Sequence, residues 1–464
     1  MRHEDVVDSS FSTFWGYWKW PILGTLLLVA ANLLRSWHTL HHVGFYVEDA
    51  LLFTRYYSMS KPVFDVAQNH FEQPYVTLLS NFFAWLYAHL DVRMQASLYK
   101  WSGFAWGTAA AAIFFYSGLI RSRTVLLTGP LLVGLTGLNH IFYYNTVIYI
   151  MYTAVAILLC LLFFPTPKTK IGTILMGFAF VLLPWAGPYS VLVVPVSVMM
   201  LIFNREDRKK IWLLSILLLS TLAYFSTVTG NTTQLAHLKK LWVIIYYFQE
   251  LLAKVVFFGF VDKVSLWWWL PVGISIALVF YLVRHDRNFL FHSIIFFAIS
   301  GSSLALFFLS IKFPLYLFSR PQHSFISLYF WVVFLLYAAD RVIRMYSIKK
   351  TGISLFVLLT LFLIVIDNIK DPSKRKVTVI PDTRDFLAKV YQFEQLELEK
   401  RNQFVVLKLD NYQRPFFIPQ ARVGSREPNA LQIGSKDFPP SLKTKFLVNP
   451  VPERQVKKVK KEHL

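Results

Sequence analysis

The stretch "NREDRKKIWLLSILLLSTLAYFSTV", residues 204–228, holds the pattern that decides the fold: a short basic cluster, then an unbroken apolar run long enough to cross a bilayer. The same alternation recurs along the chain. Basic clusters stand at "RSR" (121–123), "PTPKTK" (165–170), "RHDR" (284–287) and "DRVIRMYSIKK" (340–350), each beside apolar segments. Composition agrees, with 55% apolar residues, 43 Phe, 14 Trp and a mean hydropathy of +0.47. These values fit no ordinary soluble domain and predict an all-α polytopic membrane protein. The net charge of +21 sits in inter-span clusters and the last residues, so it reads as topology-setting charge beside anionic lipid and not as a nucleic-acid surface. Cys160, the only cysteine, lies in an apolar run and excludes an intramolecular disulfide.

Placing every basic cluster on the cytoplasmic side gives paired spans at 124–140 and 146–164, 171–186 and 188–203, 211–228 and 267–283, and 289–310 and 325–340, with a last span at 351–367. The acidic N-terminus (Glu4, Asp5, Asp8) lacks a basic n-region, so 15–34 reads as a retained first span. The span at 101–119 must then enter from outside, which makes all of 35–100 external and turns the apolar stretch 75–90 into an interfacial helix. The expectation is about 11 transmembrane helices in residues 1–370, with external loops at 35–100, 229–266 and 311–324. "NTT" at Asn231 matches a glycosylation acceptor. From residue 371 to 464 the chain turns polar. "RDFLAKVYQFEQLELEKRNQFVVLKLD" (384–410) reads as a helix followed by a strand, and predicts a small external C-terminal α/β appendage ending in the basic tail "KKVKK" (457–461).

Within the first external loop, "HHVGFYVEDALLFTRYY" (41–57) places Glu48 and Asp49 side by side, followed by Arg55, Tyr56, Tyr57, Lys61, Asp65, His70 and Glu72. A carboxylate acts as a general base when it is held within hydrogen-bond reach of the proton it takes, while Arg and Lys hold a phosphate and stabilise charge as it leaves. Two adjacent carboxylates also suit a divalent cation, although no ligand spacing specifies one. No Gly-rich phosphate loop is present.

"YVEDALLFTRYY" (46–57) resembles the acidic pair that follows span one in the GT-C superfamily of integral membrane glycosyltransferases. "NHFEQPYVTLLSNFFAWLYAHLDVRMQASLYKW" (69–101) is similar to the interfacial helix of the branch containing the protein O-mannosyltransferases and the lipid A aminoarabinose transferase. "GFAFVLLPWAGPYSVLVVPV" (177–196) resembles that branch's Gly-Pro segment, with Ala186 where a Lys is common, and "SRPQHSFISLYF" (319–330) resembles its entry into a late span. The resemblance covers residues 1–340 and implies a GT-C-like fold and an inverting transfer of a hexose from a polyprenyl-phosphate carrier, of which undecaprenyl phosphate is the bacterial form. It implies Asp49, ahead of Glu48, as the base, and Arg320, with His323, Arg55 and Lys61 behind it, as the phosphate-binding groups. His70, Glu72, Tyr56 and, in "LNHIFYYNT" (138–146), Asn139, His140 and Asn145 would line the acceptor path. A short chain with a small appendage is similar to the phage-type glucosyltransferases that convert serotype. Bacterial surface polysaccharide, the O-antigen of lipopolysaccharide, is therefore the expected acceptor, with lipid A or protein as the others. The site and the C-terminus would face the outside of a bacterial inner membrane. An O-antigen polymerase or ligase, and a transporter, are the competing readings. Charged residues are nearly absent from the apolar runs, which weighs against transport.

Overall fold

The computed structural model describes residues 11–41, 49, 52, 56, 77–135, 146–204, 206–227, 269–284, 287–310, 325–345, 405–407 and 416–418. The expected span at 351–367, the loops at 229–266 and 311–324, the Asn231 triplet and the helix begun at Arg384 all lie outside them. Among the described residues the chain is mostly helical. The helices are α1 (Phe11–His41), α2 (Leu78–Ala88), α3 (Val92–Ile113), α4 (Arg123–Leu135), α5 (Ile150–Leu161), α6 (Lys170–Leu182), α7 (Val193–Phe203), α8 (Arg208–Ser226), α9 (Leu270–Val283), α10 (Arg287–Ser310) and α11 (Phe325–Met345). Three helical stretches, Arg208–Ser226, Asn288–Leu306 and Phe325–Met345, are long and apolar enough to cross a membrane. An antiparallel pair joins β1 (Val405–Leu407) to β2 (Phe416–Ile418), with Val406 opposite Phe417.

The exposed face of α6 shows why these residues suit a bilayer. Ile171, Ile174, Leu175 and Phe178 recur at helical spacing and are 72, 68, 63 and 62% exposed. In water that stripe would be the buried side of the helix. Here it looks outward, while the inner side of α6 packs on α8.

Helix α1 runs antiparallel to α3. Trp18 stacks on Tyr116 with ring centres 5.5 Å apart, Thr25 shares a 2.9 Å hydrogen bond with the Tyr116 hydroxyl, and Asn32 Nδ2 donates to Thr108 Oγ1 at 3.5 Å. The C-terminal end of α1 and the N-terminal end of α3 therefore share one end of the bundle. Packed on α3 at that end is α2, whose 11 residues rise only about 16 Å and fall well short of the roughly 30 Å hydrocarbon core. On its other side α1 packs on α4, and a β-carbon at Gly24 would fall 2.6 Å from the Leu126 carbonyl oxygen and 2.8 Å from that of Leu127. Backbone cannot move aside as a side chain can. Gly24→Ala is expected to lower stability by about 1–3 kcal/mol, read as an earlier unfolding midpoint in detergent.

At the opposite end the basic clusters meet one another. Asp207 caps α8, accepting from Lys210 N at 3.0 Å and from the Thr166 hydroxyl, and Lys210 Nζ closes the C-terminal end of α5 by donating to the carbonyls of Leu162 (3.1 Å) and Phe164 (2.7 Å). Burial alone would raise the Asp207 carboxyl, but the Thr166 hydroxyl, the Lys210 and Lys209 amides and the Lys210 charge outweigh it and hold it below the usual carboxylate range.

The sequence grouped Asp340 with the basic loop that follows it, but α11 runs on to Met345 and Asp340 is fully buried. Its carboxylate accepts from the amides of Arg121 (3.0 Å) and Ser122 (2.6 Å), at the head of α4, and from Arg344 Nε (3.0 Å), while Arg344 Nη2 stands in ion-pair contact at 2.8 Å. A buried charge persists when donors surround it in this way. Asp340→Asn keeps an acceptor for the amides but discards the charge opposite Arg344. A loss of about 1.5–3 kcal/mol in detergent unfolding is expected.

Candidate functional site

Asp49 lies at the end of the bundle where α2 sits, and it is fully buried. The Thr146 hydroxyl donates to its Oδ1 at 2.6 Å and the Ile148 amide at 3.3 Å. Thr146 is the N-cap of a 3-10 turn, Val147–Tyr149, that leads into α5, and its own Oγ1 accepts from Ile148 N at 3.2 Å. An acidic group at that position meets the unsatisfied amides and the positive end of a helix dipole. The turn is fixed from a second side by Ser80 of α2, which donates to the Val147 carbonyl at 3.0 Å.

Lys100 and Tyr99 of α3 complete the surroundings. Both are fully buried, and both are electrostatically coupled to Asp49. Burial disfavours a charge on Lys100, and the nearby Asp49 carboxylate opposes that effect, so the two lie within electrostatic reach of one another. Around Tyr99 lies an aromatic shell, with the Tyr87 ring centre 5.8 Å away and Tyr87 hydrogen-bonded to Ser102. Tyr56, 3% exposed, donates to Asn81 Oδ1 at 2.9 Å, and Asn81 Nδ2 in turn donates to the carbonyl (2.9 Å) and hydroxyl (3.0 Å) of Thr77. Thus the first-loop residues Asp49 and Tyr56 are tied to α2, α3 and the head of α5 by named polar bonds and charge, and not by apolar packing alone.

Of the residues singled out from sequence, the structure brings Asp49 and Tyr56 to one end, and their polar atoms are already engaged. Glu48, Arg55, Lys61, His70, Glu72, Asn139, His140, Asn145, Arg320 and His323 lie outside the described residues. Sequence reasoning missed Lys100, Tyr99, Asn81 and Thr146. A signal for Lys100 was present: on the expected topology it falls at the external end of a span, against the cytoplasmic bias of basic residues, and so asks for a local partner. Among the described residues no three His, Cys, Asp or Glu side chains gather at one point.

The Gly-Pro stretch forms two buried 3-10 turns, Leu183–Ala186 and Pro188–Leu192, between α6 and α7. The first of them packs on α2 and α5, which places it near the same end as Asp49. Trp185 Nε1 donates to Ser220 Oγ at 3.2 Å, and the Tyr189 ring lies 5.5 Å from that of Tyr152 on α5. No protein-family model, curated protein or solved structure matches the chain.

Proposed function

We propose that this protein is a membrane glycosyltransferase that moves a hexose from a polyprenyl-phosphate carrier to a hydroxyl of an external acceptor, with bacterial surface polysaccharide such as O-antigen as the leading acceptor. In this reading the chain crosses the membrane about 11 times, keeps the first loop and the polar C-terminal segment outside, and has a GT-C-like arrangement.

The observation that carries the proposal is the anchoring of Asp49. A carboxylate buried on a helix-leading turn beside Lys100 makes a rigid post at the start of the acidic loop. A base must reach its substrate, and Asp49 has no exposed surface on which an acceptor hydroxyl can rest. We therefore assign the post to Asp49 and the base to its neighbour Glu48. Glu48 takes the acceptor proton as the acceptor oxygen attacks the anomeric carbon. The bond from that carbon to the carrier phosphate oxygen breaks on the opposite face, inverting the centre, and the phosphate leaves against Arg320, with His323, Arg55 and Lys61 in support.

The test is sugar transfer by the purified full chain from synthetic polyprenyl-phosphate hexoses to a panel of surface-glycan, lipid A and peptide acceptors. Turnover with one donor class is expected. Absence of turnover with every donor sinks the reading and leaves the polymerase or ligase and the transporter as the functions to assay.

A further inference from the structure

At the end of the bundle opposite Asp49, Lys19 of α1 and Arg123, at the start of α4, flank one indole of α1, with Arg121 close by in the chain. Lys19 Nζ lies 5.4 Å from the centre of the Trp20 ring, and the Arg123 guanidinium lies 5.7 Å from the same ring. Arg121 stands two residues before Arg123, and all three cationic residues are exposed. Beside them Trp18 stacks on Tyr116. Among the described residues no carboxylate pairs with Lys19, Arg121 or Arg123, because Asp340 is engaged by the amides of Arg121 and Ser122 and by Arg344. Trp20 Nε1 is buried without a hydrogen bond among the described residues.

One turn further along α1, the surface changes character. Ile22, Leu23, Leu26 and Leu27 are 36, 43, 60 and 41% exposed, so a bare apolar strip starts directly beside the cations. A soluble anion would use the cations and leave the strip in water. A molecule that joins an anion to hydrocarbon covers both. Tryptophan with lysine and arginine at the edge of an apolar surface is also the composition that seats at a lipid headgroup layer.

We propose that this crevice binds an anionic phospholipid, its phosphodiester held by Lys19, Arg121 and Arg123 over the Trp20 ring and its acyl chains lying along Ile22, Leu23, Leu26 and Leu27. Guanidinium groups match phosphate oxygens with paired donors, and the indole gives the cations a polarisable floor. The site stands apart from the proposed transfer chemistry, so its test needs no turnover.

Purified, delipidated full-length protein would be titrated in neutral detergent with phosphatidylglycerol and with phosphatidylcholine of the same chains, and bound lipid counted by native mass spectrometry. Phosphatidylglycerol is expected to bind at least tenfold more tightly. The triple variant K19Q/R121Q/R123Q should lose that preference while binding phosphatidylcholine as before. Because three changes can disturb folding, R121Q and R123Q are also made singly, each expected to weaken phosphatidylglycerol binding about threefold. Equal binding of the two lipids by the unaltered protein overturns the proposal, as does an unchanged preference in the variants. Displacement of phosphatidylglycerol by millimolar inorganic phosphate overturns the lipid assignment in favour of a free anion.

Discussion

If Lys100 is the counter-charge of the fully buried Asp49, Lys100→Met alone is expected to lower the stability of the protein by roughly 3–5 kcal/mol, because it strands that carboxylate. Thr146 and Ile148 would still donate to Asp49, yet two hydrogen bonds do not offset removal of a positive charge from a dry site. Asp49→Asn produces the mirror fault, a buried ammonium facing a neutral amide, and a loss of similar size. The informative variant is the double one. In D49N/K100M both charges are gone, the Asn oxygen can still accept from Thr146, and the Met side chain fills much of the lysine's volume. That variant is expected to unfold within about 1 kcal/mol of the parent, since a buried pair replaced as a unit is often neutral. Unfolding of all four proteins in mixed micelles closes the cycle. If the double variant is as damaged as the two singles added together, the charges do not act on one another and Lys100 is not the partner of Asp49.

The helical character of the chain was legible because long apolar runs between polar clusters are written in local composition. The clusters at 121–123, 165–170 and 204–210 were placed on one side from charge alone; the structure joins Thr166 of the second to Asp207 of the third, and Arg121 and Ser122 of the first to Asp340 of α11. The break before α7 was legible in Pro184, Gly187 and Pro188, whose clustering within five residues interrupts regular hydrogen bonding where the single Pro21 and Pro130 inside α1 and α4 do not. Helix ends were less so. The apolar run at 15–34 is only the middle of a helix that extends from Phe11 to His41, because hydropathy registers the apolar stretch while backbone bonding continues past it.

What the sequence concealed was which polar groups are buried. Asp340 and Arg344 look like loop residues when counted with their neighbours, and only the approach of another turn's amides makes a buried site of them. Lys100 sits between Tyr99 and Trp101, an ordinary interfacial setting, until the fold brings Asp49 to it from the first loop. The acidic pair was legible as a pair, but the burial of Asp49 was not, because burial is not a property of a dipeptide.

The proposed assignment of the base to Glu48 and the post to Asp49 has a kinetic consequence. Glu48→Gln should cut kcat for sugar transfer by about 10²–10⁴, the usual contribution of a positioned general base, with expression, unfolding midpoint and donor binding unchanged. Asp49→Asn should also lower turnover, but together with stability and with protection of the first loop from protease, because its role is to hold the post against Thr146 and the head of α5. D49N/K100M separates the two: restoring the stability of the anchor should restore a large part of kcat, whereas no second substitution at position 100 should rescue Glu48→Gln. The assays are initial rates with a saturating polyprenyl-phosphate hexose, paired with unfolding of the same preparations. If Asp49→Asn instead abolishes turnover in a fully stable protein, and Glu48→Gln leaves it intact, the buried carboxylate is the base after all. The site must then open around Asp49 when substrate binds.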